Sequence, residues 1–189
     1  MDKHKVILVT DGDVVARKAV EAAAKNIGGR CISMSAGNPT VLTGEAIVGL
    51  IREAPNDPVV VMVDDRGVKG MGRGEKAMER IMEDDSVEVL GVVAVSSNGK
   101  DCSGLDVTCS ITKEGRVIEG SVDKYGNETG SDRICGDTLS VLKKKKGIVI
   151  VGIGDPGKMD FNDEIHKGAP ITTKALREVM KRSGMNAAH

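Results

Sequence analysis

Aromatic residues are almost absent from this chain of 189 residues, which contains one tyrosine, one phenylalanine and no tryptophan. Its core must therefore be built from valine, isoleucine, leucine, methionine and alanine. The aromatic platforms on which proteins stack single-stranded nucleic acid are missing as well. Acidic and basic residues number 28 and 27, so the net charge is −1 and no basic excess is available for phosphate backbones. We therefore expect no nucleic-acid partner.

The sequence also lacks a long apolar run and the pattern of a secretory leader. Because a membrane-spanning helix needs roughly 20 apolar residues, the sequence predicts no transmembrane segment and synthesis in the cytoplasm. Four cysteines occur, and none of them stands in a C-x-x-C pair or in a zinc-binding spacing. We predict buried or half-buried free thiols, as is usual in a reducing compartment. These cysteines are Cys31, Cys102, Cys109 and Cys135.

Short apolar runs alternate with stretches of helical periodicity in the first half of the chain. Strands are predicted at 6–10, 31–35, 59–63 and 87–95, and helices at 14–27, 44–54 and 75–83. This β-α alternation predicts a parallel sheet with helices on both faces. Strand 59–63 is apolar on both faces, as expected of a strand inside such a sheet.

The second half has a different pattern. Alternating segments at 106–112 and 117–122 predict a β-hairpin extension at about 105–123. A helix at 132–145, a strand at 148–153, a closing helix at 172–183 and a disordered tail at about 185–189 complete the prediction. We expect one α/β domain over residues 1–189. Its sheet is open and mainly parallel, in a Rossmann-like or Toprim-like three-layer sandwich with the added hairpin.

Three predicted strands end in acidic, glycine-containing loops. In open α/β sheets, ligands bind outside the carboxyl ends of the strands. Clustered carboxylates suit Mg²⁺ or Ca²⁺, which prefer oxygen ligands. The alternative is that these side chains only cap helices and form turns. The candidate metal ligands are Asp11, Asp13, Asp64, Asp65 and Asp155.

A glycine-dense loop at 67–74 leads into the third predicted helix. Amide groups at the start of a helix can bind an anion, and two basic residues in the loop add positive charge. The spacing matches neither a P-loop nor a dinucleotide-binding motif, and a mobile loop is the simpler interpretation. The candidate ligand-binding residues are Gly67, Lys69, Gly70, Gly72, Arg73 and Gly74, together with Gly154 and Gly157 near the end of the fifth strand.

Other sequence features give no catalytic residue. Four lysines at 143–146 complement the dipole of the predicted helix, although an anionic membrane face is an alternative partner. The three histidines are scattered, and no serine lies in a nucleophile elbow. We therefore expect a protein that is not an enzyme and has no certain cofactor.

Several linked motifs resemble one family over nearly the whole chain. They are KVILVTDGD at 5–13, IGGRCIS at 27–33, SAGNPT at 35–40, VDKYG at 122–126, GDT at 136–138, IVGIGD at 150–155 and KGAPIT at 167–172. In this order they are similar to the soluble stage V sporulation protein AE family of endospore-forming bacteria.

The resemblance implies a component of the machinery that takes up dipicolinic acid with calcium during sporulation and releases it in germination. Such a component would lie peripherally at the inner spore membrane, beside other stage V sporulation proteins. Dipicolinic acid is a candidate ligand, and the sequence leaves a homodimer open. The family supplies no established catalytic residues.

A more distant likeness connects the acidic loops to Toprim domains of primases and topoisomerases. Those domains hold Mg²⁺ with a glutamate after the first strand and an Asp-x-Asp after a later one. Here Asp11 replaces the glutamate, and Asp64 and Asp65 are adjacent rather than spaced. The resulting alternative function is a Mg²⁺-dependent phosphodiester or nucleotide enzyme. A third hypothesis is a small-molecule binding module that uses the 67–74 loop.

Overall fold

Nine strands and four α-helices make up the described part of the chain. The computed structural model describes residues 2–68, 71–97 and 104–185. The strands are β1 (His4–Val9), β2 (Arg30–Cys31), β3 (Val59–Met62), β4 (Val87–Val95), β5 (Leu105–Asp106), β6 (Cys109–Ile111), β7 (Val117–Ile118), β8 (Arg133–Ile134) and β9 (Val149–Ile153). The helices are α1 (Val14–Asn26), α2 (Gly44–Arg52), α3 (Arg73–Met82) and α4 (Pro170–Arg182).

Seven strands form one open sheet in the order β2-β3-β1-β4-β9-β6-β7. Every neighbouring pair from β2 to β6 is parallel, and β7 adds an antiparallel edge. The two remaining strands, β5 and β8, form a small antiparallel sheet. The predicted mainly parallel α/β fold is confirmed, and the antiparallel pair β6–β7 is the predicted hairpin.

The strand alternation divides the core into two layers. On β1, Val6 and Leu8 point to one face of the sheet, and Ile7 and Val9 point to the other. Apolar residues of α2 and α3 cover the first face, while those of α1 and α4 cover the second. Within each layer the two helices contact each other. The result is the predicted three-layer sandwich.

The core contains no aromatic side chain, as the composition predicts. Phe161 is 73% exposed and Tyr125 is 46% exposed. The largest fully buried side chains are isoleucine, leucine and methionine. Both aromatic rings are therefore available at the surface.

Local sequence signals fix the ends of the first two long helices. The Asp13 side chain accepts a hydrogen bond from the Ala16 amide at 2.8 Å and caps α1. Gly28, with φ +72°, follows the end of that helix in the left-handed conformation that glycine adopts readily. Thr43 caps α2 by accepting from the Ala46 amide at 3.3 Å. These boundaries agree with the prediction.

The predicted helix at 132–145 is wrong. This segment contains β8 and a short 3₁₀ turn at Val141–Lys144. Non-local bonds hold it extended, since Val107 N–H donates to the Asp132 carbonyl at 3.0 Å and Ser97 N–H donates to the Cys135 carbonyl at 2.9 Å. Thr138 adopts φ +61°, which an α-helix cannot accommodate. The four lysines at 143–146 therefore do not end an α-helix, and the explanation by a helix dipole does not apply to them.

Two further predictions need correction. The strand predicted at 31–35 is only the two-residue β2, and a 3₁₀ turn at Ser33–Ser35 follows it.

Cys31 and Cys109 are free thiols, as predicted, and burial raises the pKa of Cys31 to about 11. Cys135 is disulfide-bonded, so the prediction of a free thiol is wrong there. Cys102 and the predicted tail at 186–189 lie outside the described residues.

Candidate functional site at the carboxyl edge of the sheet

The parallel strands β3, β1, β4 and β9 end side by side at one edge of the sheet, which we call the carboxyl edge. After β1 the chain turns through α1 towards β2, and after β4 it runs towards β6 on the opposite side. The connections therefore diverge between β1 and β4, the position where open α/β sheets place their ligands. The three acidic loops predicted from the sequence all lie at this edge.

Asp11 lies directly after β1 at the divergence point. Its Oδ1 accepts hydrogen bonds from the Gly12 amide at 2.7 Å and the Asp13 amide at 3.3 Å. Burial raises the pKa of Asp11 to about 7, and the charges of Asp13, Asp64 and Asp155 act in the same direction. The carboxyl group is therefore close to half protonated at neutral pH.

Asp155, after β9, carries its own counter-charge. Its carboxylate accepts from the Gly157 amide at 2.9 Å and pairs with Lys158 Nζ. That hydrogen bond raises the pKa of Lys158, and the charges of Asp11 and Asp13 add to the effect. Lys158 is thus the cation that faces this group of carboxylates from the β9 side.

The adjacent residues Asp64 and Asp65 have different roles. Asp64 Oδ1 accepts from the Arg66 amide at 2.7 Å. Burial raises the pKa of Asp64, and the neighbouring charge of Asp137 contributes to the rise. Asp65 instead turns to α3, where its oxygens accept from the Gly74 amide at 2.6 Å and the Glu75 amide at 3.1 Å.

The glycines of the 67–74 loop allow α3 to approach β3. A Cβ added at Gly72 would overlap Asp65 Oδ1, and one added at Gly74 would lie 2.7 Å from the Asp64 nitrogen. Gly67 adopts φ +70°. The start of α3 therefore already binds an internal carboxylate, that of Asp65.

Several predicted ligand-binding residues lie apart from this contact. Lys69 and Gly70 lie outside the described residues. Arg73 is exposed and lines a shallow surface pocket with Lys76 and Arg80. At the other end of the edge, a Cβ at Gly154 would lie 2.6 Å from the Gly126 nitrogen, so this glycine admits a neighbouring turn. Gly157 donates to Asp155.

Asp137 also lies at the carboxyl edge, although the sequence analysis did not include it among the candidate residues. Its Oδ1 accepts from the Ser97 hydroxyl at 3.3 Å, and Ser97 follows β4. Its negative charge contributes to the raised pKa of Asp64. The motif GDT at 136–138 was the available signal, but the helix predicted across it concealed that Asp137 reaches the edge.

The five predicted metal ligands do not form one binding set. Asp13 and Asp65 cap helices, and Asp155 pairs with Lys158. No group of three or more histidine, cysteine, aspartate or glutamate side chains within the described ranges has a geometry suited to a metal ion. Of the remaining acidic pair, Asp11 can exchange its proton near neutral pH, and burial raises the pKa of Asp64 as well. Together they can attract a cation or a basic partner surface.

A family comparison covers the elements that build this edge. The family model for Stage V sporulation protein AE1 matches residues 5–183, from β1 through α4. The chain belongs to this family. Membership implies a role in sporulation and confirms the resemblance found in the motifs.

Neither a curated protein nor a solved structure matches the chain. Among the helices of the described residues, none has the length and apolar character needed to cross a membrane.

Proposed function

We propose that this member of the Stage V sporulation protein AE1 family is a non-enzymatic component of the spore machinery for dipicolinic acid and calcium. It would act in uptake during sporulation and in release during germination. The family match over residues 5–183 supports this proposal, because it covers the whole sheet rather than one motif. The family also suggests association with other stage V sporulation proteins, which we place at the inner spore membrane.

The carboxyl edge is the surface through which we propose that these contacts form. Most of its carboxylates are engaged inside the protein, as helix caps or in a pair with Lys158. Such internal bonding stabilises a fixed surface shape. Asp11 and Asp64 give that surface a negative charge that depends on pH. A basic segment of a partner protein is the complementary occupant.

Deletion of the gene in a spore-forming host tests the proposed role. We expect spores without the protein to contain less dipicolinic acid or to release it more slowly in germination. A wild-type copy restores both quantities, and dipicolinic acid is measured by its terbium fluorescence. Normal content together with normal release in the deletion strain would overturn the proposal.

The second candidate function is a Mg²⁺-dependent enzyme acting on a phosphodiester or nucleotide. The observation that favours it is the placement of Asp11 near Asp64, with the pKa of each carboxyl raised. Asp65 caps α3, so the adjacent acidic pair offers only Asp64 to this edge. Calorimetric titration with millimolar Mg²⁺ tests this candidate function. If it is right, the wild type binds Mg²⁺, and Asp11→Ala and Asp64→Ala each abolish that binding.

A further inference from the structure

A groove of about 510 Å³ lies between the start of α1 and the segment that leads into α4. Its lining comes from the first turns of α1, from Pro156 and Gly157 after β9, and from residues between 161 and 166. We call it the α1 groove. It lies on the layer of helices α1 and α4, and the contact proposed above for Asp11 and Asp64 does not use it.

The α1 groove has an apolar lining that is open to solvent. Ten large apolar side chains are exposed in the described part of the chain, and four of them line this one groove. Each of the four is at least 50% exposed, and they are Val14, Val15, Phe161 and Ile165. Single exposed apolar residues are normal at a protein surface, whereas a contiguous group marks an interaction site.

The turn before the groove holds the ring of Phe161 at the surface. Phe161 adopts φ +59°, a left-handed conformation that is strained for a bulky side chain. Two lysines keep the turn in place. Lys113 Nζ pairs with Asp160 Oδ2 at 2.7 Å, and Lys167 Nζ donates to the Phe161 carbonyl at 2.8 Å. A ring on such a fixed turn loses little freedom on binding, as is favourable for an anchor residue of an interface.

The charges on the groove are of both signs. Among the described residues, no carboxylate pairs with Lys18, which is exposed. Asp163 is buried, and its carboxylate accepts from two amides at the start of α4 at 2.7 and 3.0 Å. Glu164 lies 2.9 Å from His166, which compensates the carboxylate only when it is protonated. The groove therefore presents one cation, Lys18, and one anion, Glu164.

A surface with one charge of each sign around apolar side chains is complementary to itself. In a dimer with a two-fold axis, the same surface of both copies meets, so Lys18 of one copy can face Glu164 of the other on both sides of the axis. A groove of a single sign would instead repel its own copy. The net charge of −1 adds no strong long-range repulsion between two chains.

We propose that the α1 groove is an interface between two copies of this chain that are related by a two-fold axis. Phe161 of each copy enters the groove of the other, and Lys18 of each copy pairs with Glu164 of its partner. The apolar side chains supply the affinity, and the charged pairs fix the orientation. The interface does not involve Asp11 or Asp64, so this inference and the proposed function can each fail without the other.

Sedimentation equilibrium of the purified whole chain tests the proposal. We expect a reversible dimer with a dissociation constant on the order of 10 μM, as suits a small interface with one aromatic anchor. Phe161→Ser should weaken this association at least about tenfold. The ring is exposed, so the variant should keep the circular dichroism spectrum of the wild type. The control is Val41→Ser, at a similarly exposed position beside α2 and α3, which should leave the association unchanged.

Two charge reversals test the two-fold arrangement. Lys18→Glu and Glu164→Lys each place charges of one sign on both sides of the interface, so each variant alone should self-associate several-fold more weakly. An equimolar mixture of the two should form a mixed dimer, because both pairs across the axis are then of opposite sign. With one variant isotope-labelled, native mass spectrometry identifies this species. Lys25→Glu, an exposed position near the other end of α1, should self-associate as the wild type does.

Three results would overturn the assignment. A wild-type chain that remains a monomer up to about 200 μM would show that something other than a second copy covers the groove. Association of Phe161→Ser as tight as that of the wild type would place the interface elsewhere. Charge-reversal variants that form no mixed dimer would exclude the pairing of Lys18 with Glu164.

Discussion

At the scale of single residues, the carboxyl of Asp11 experiences burial and three neighbouring aspartates that act in the same direction on its pKa. The pKa rises from its ordinary value of 3.8 to about 7. The folded protein therefore binds a proton that the unfolded chain has already released at mildly acidic pH. Stability from this residue is present at about pH 4 and falls as the pH rises towards 7.

Asp11→Asn should remove this dependence on pH. The rise in pKa corresponds to roughly 4 kcal/mol at about 1.4 kcal/mol per pH unit, and contact with solvent reduces the usable part to about 2 kcal/mol. We expect the variant to gain about that much free energy of unfolding relative to the wild type between about pH 5 and about pH 8. Urea unfolding of the wild type and of Asp11→Asn at both pH values measures this difference in the free energy of unfolding.

The control for this comparison is Asp85→Asn, at an exposed turn. It removes the same charge and should leave the pH dependence of the wild type in place. An Asp11→Asn variant that loses stability with pH as steeply as the wild type would show that the carboxyl is ionised throughout this range.

Asp65 and its neighbour Asp64 show how adjacent carboxylates can differ in role. Asp65→Ala leaves two buried amide groups at the start of α3 without an acceptor, and should lower the free energy of unfolding by about 2 to 4 kcal/mol. Asp64→Ala loses the acceptor of the Arg66 amide but also removes a buried charge, so it should cost clearly less. Equal losses in thermal unfolding would contradict the capping role.

At the scale of secondary-structure elements, the approach of α3 to β3 depends on glycine. Gly74→Ala places a Cβ 2.7 Å from the Asp64 nitrogen, which is backbone and cannot yield easily. We expect a loss of about 1 to 3 kcal/mol, as for other overpacked sites. Differential scanning calorimetry would detect it as a lower Tm.

The same substitution elsewhere supplies the control. Gly49 is exposed in α2, and an added Cβ there meets no atom within 4 Å. Gly49→Ala should therefore raise stability by about 0.5 to 1 kcal/mol through helix propensity. If Gly74→Ala and Gly49→Ala lower Tm by the same amount, close packing does not explain why glycine occupies position 74.

The elements that the sequence predicts correctly are those with local signals. The strands β1, β3, β4 and β9 are apolar runs of branched residues, and the helices α1 and α2 carry side-chain caps at Asp13 and Thr43. The helix predicted at 132–145 is wrong because the conformation of this segment depends on pairing with β5 and on contacts with the end of β4. The helical periodicity of apolar residues in the sequence contains no information on such non-local hydrogen bonds.

The same limitation applies to the candidate site. The three acidic loops were found because each follows an apolar strand, and a parallel sheet brings such loops to one edge. Which carboxylate caps a helix and which remains at the edge depends on distances across the fold. Asp137 was missed because it comes from the segment after β8, whose position has no local signal.

At the scale of the whole molecule, the strand order brings the ends of β3 and β1 side by side at the carboxyl edge. Asp11 follows β1 and Asp64 follows β3, so the two carboxyls lie close enough for the charge of Asp64 to raise the pKa of Asp11. We call this part of the carboxyl edge the acidic region.

The central claim is that the protein acts through partner contacts at the acidic region of the carboxyl edge. Cross-linking and affinity purification from sporulating cells in mild detergent, using tagged wild-type protein and an Asp11→Arg variant, test it most directly. The account predicts that other stage V sporulation proteins co-purify with the wild type and that the charge reversal reduces their recovery several-fold, while an Asp85→Arg control does not. Recovery that is absent for the wild type, or unchanged by Asp11→Arg in a folded variant, would contradict it.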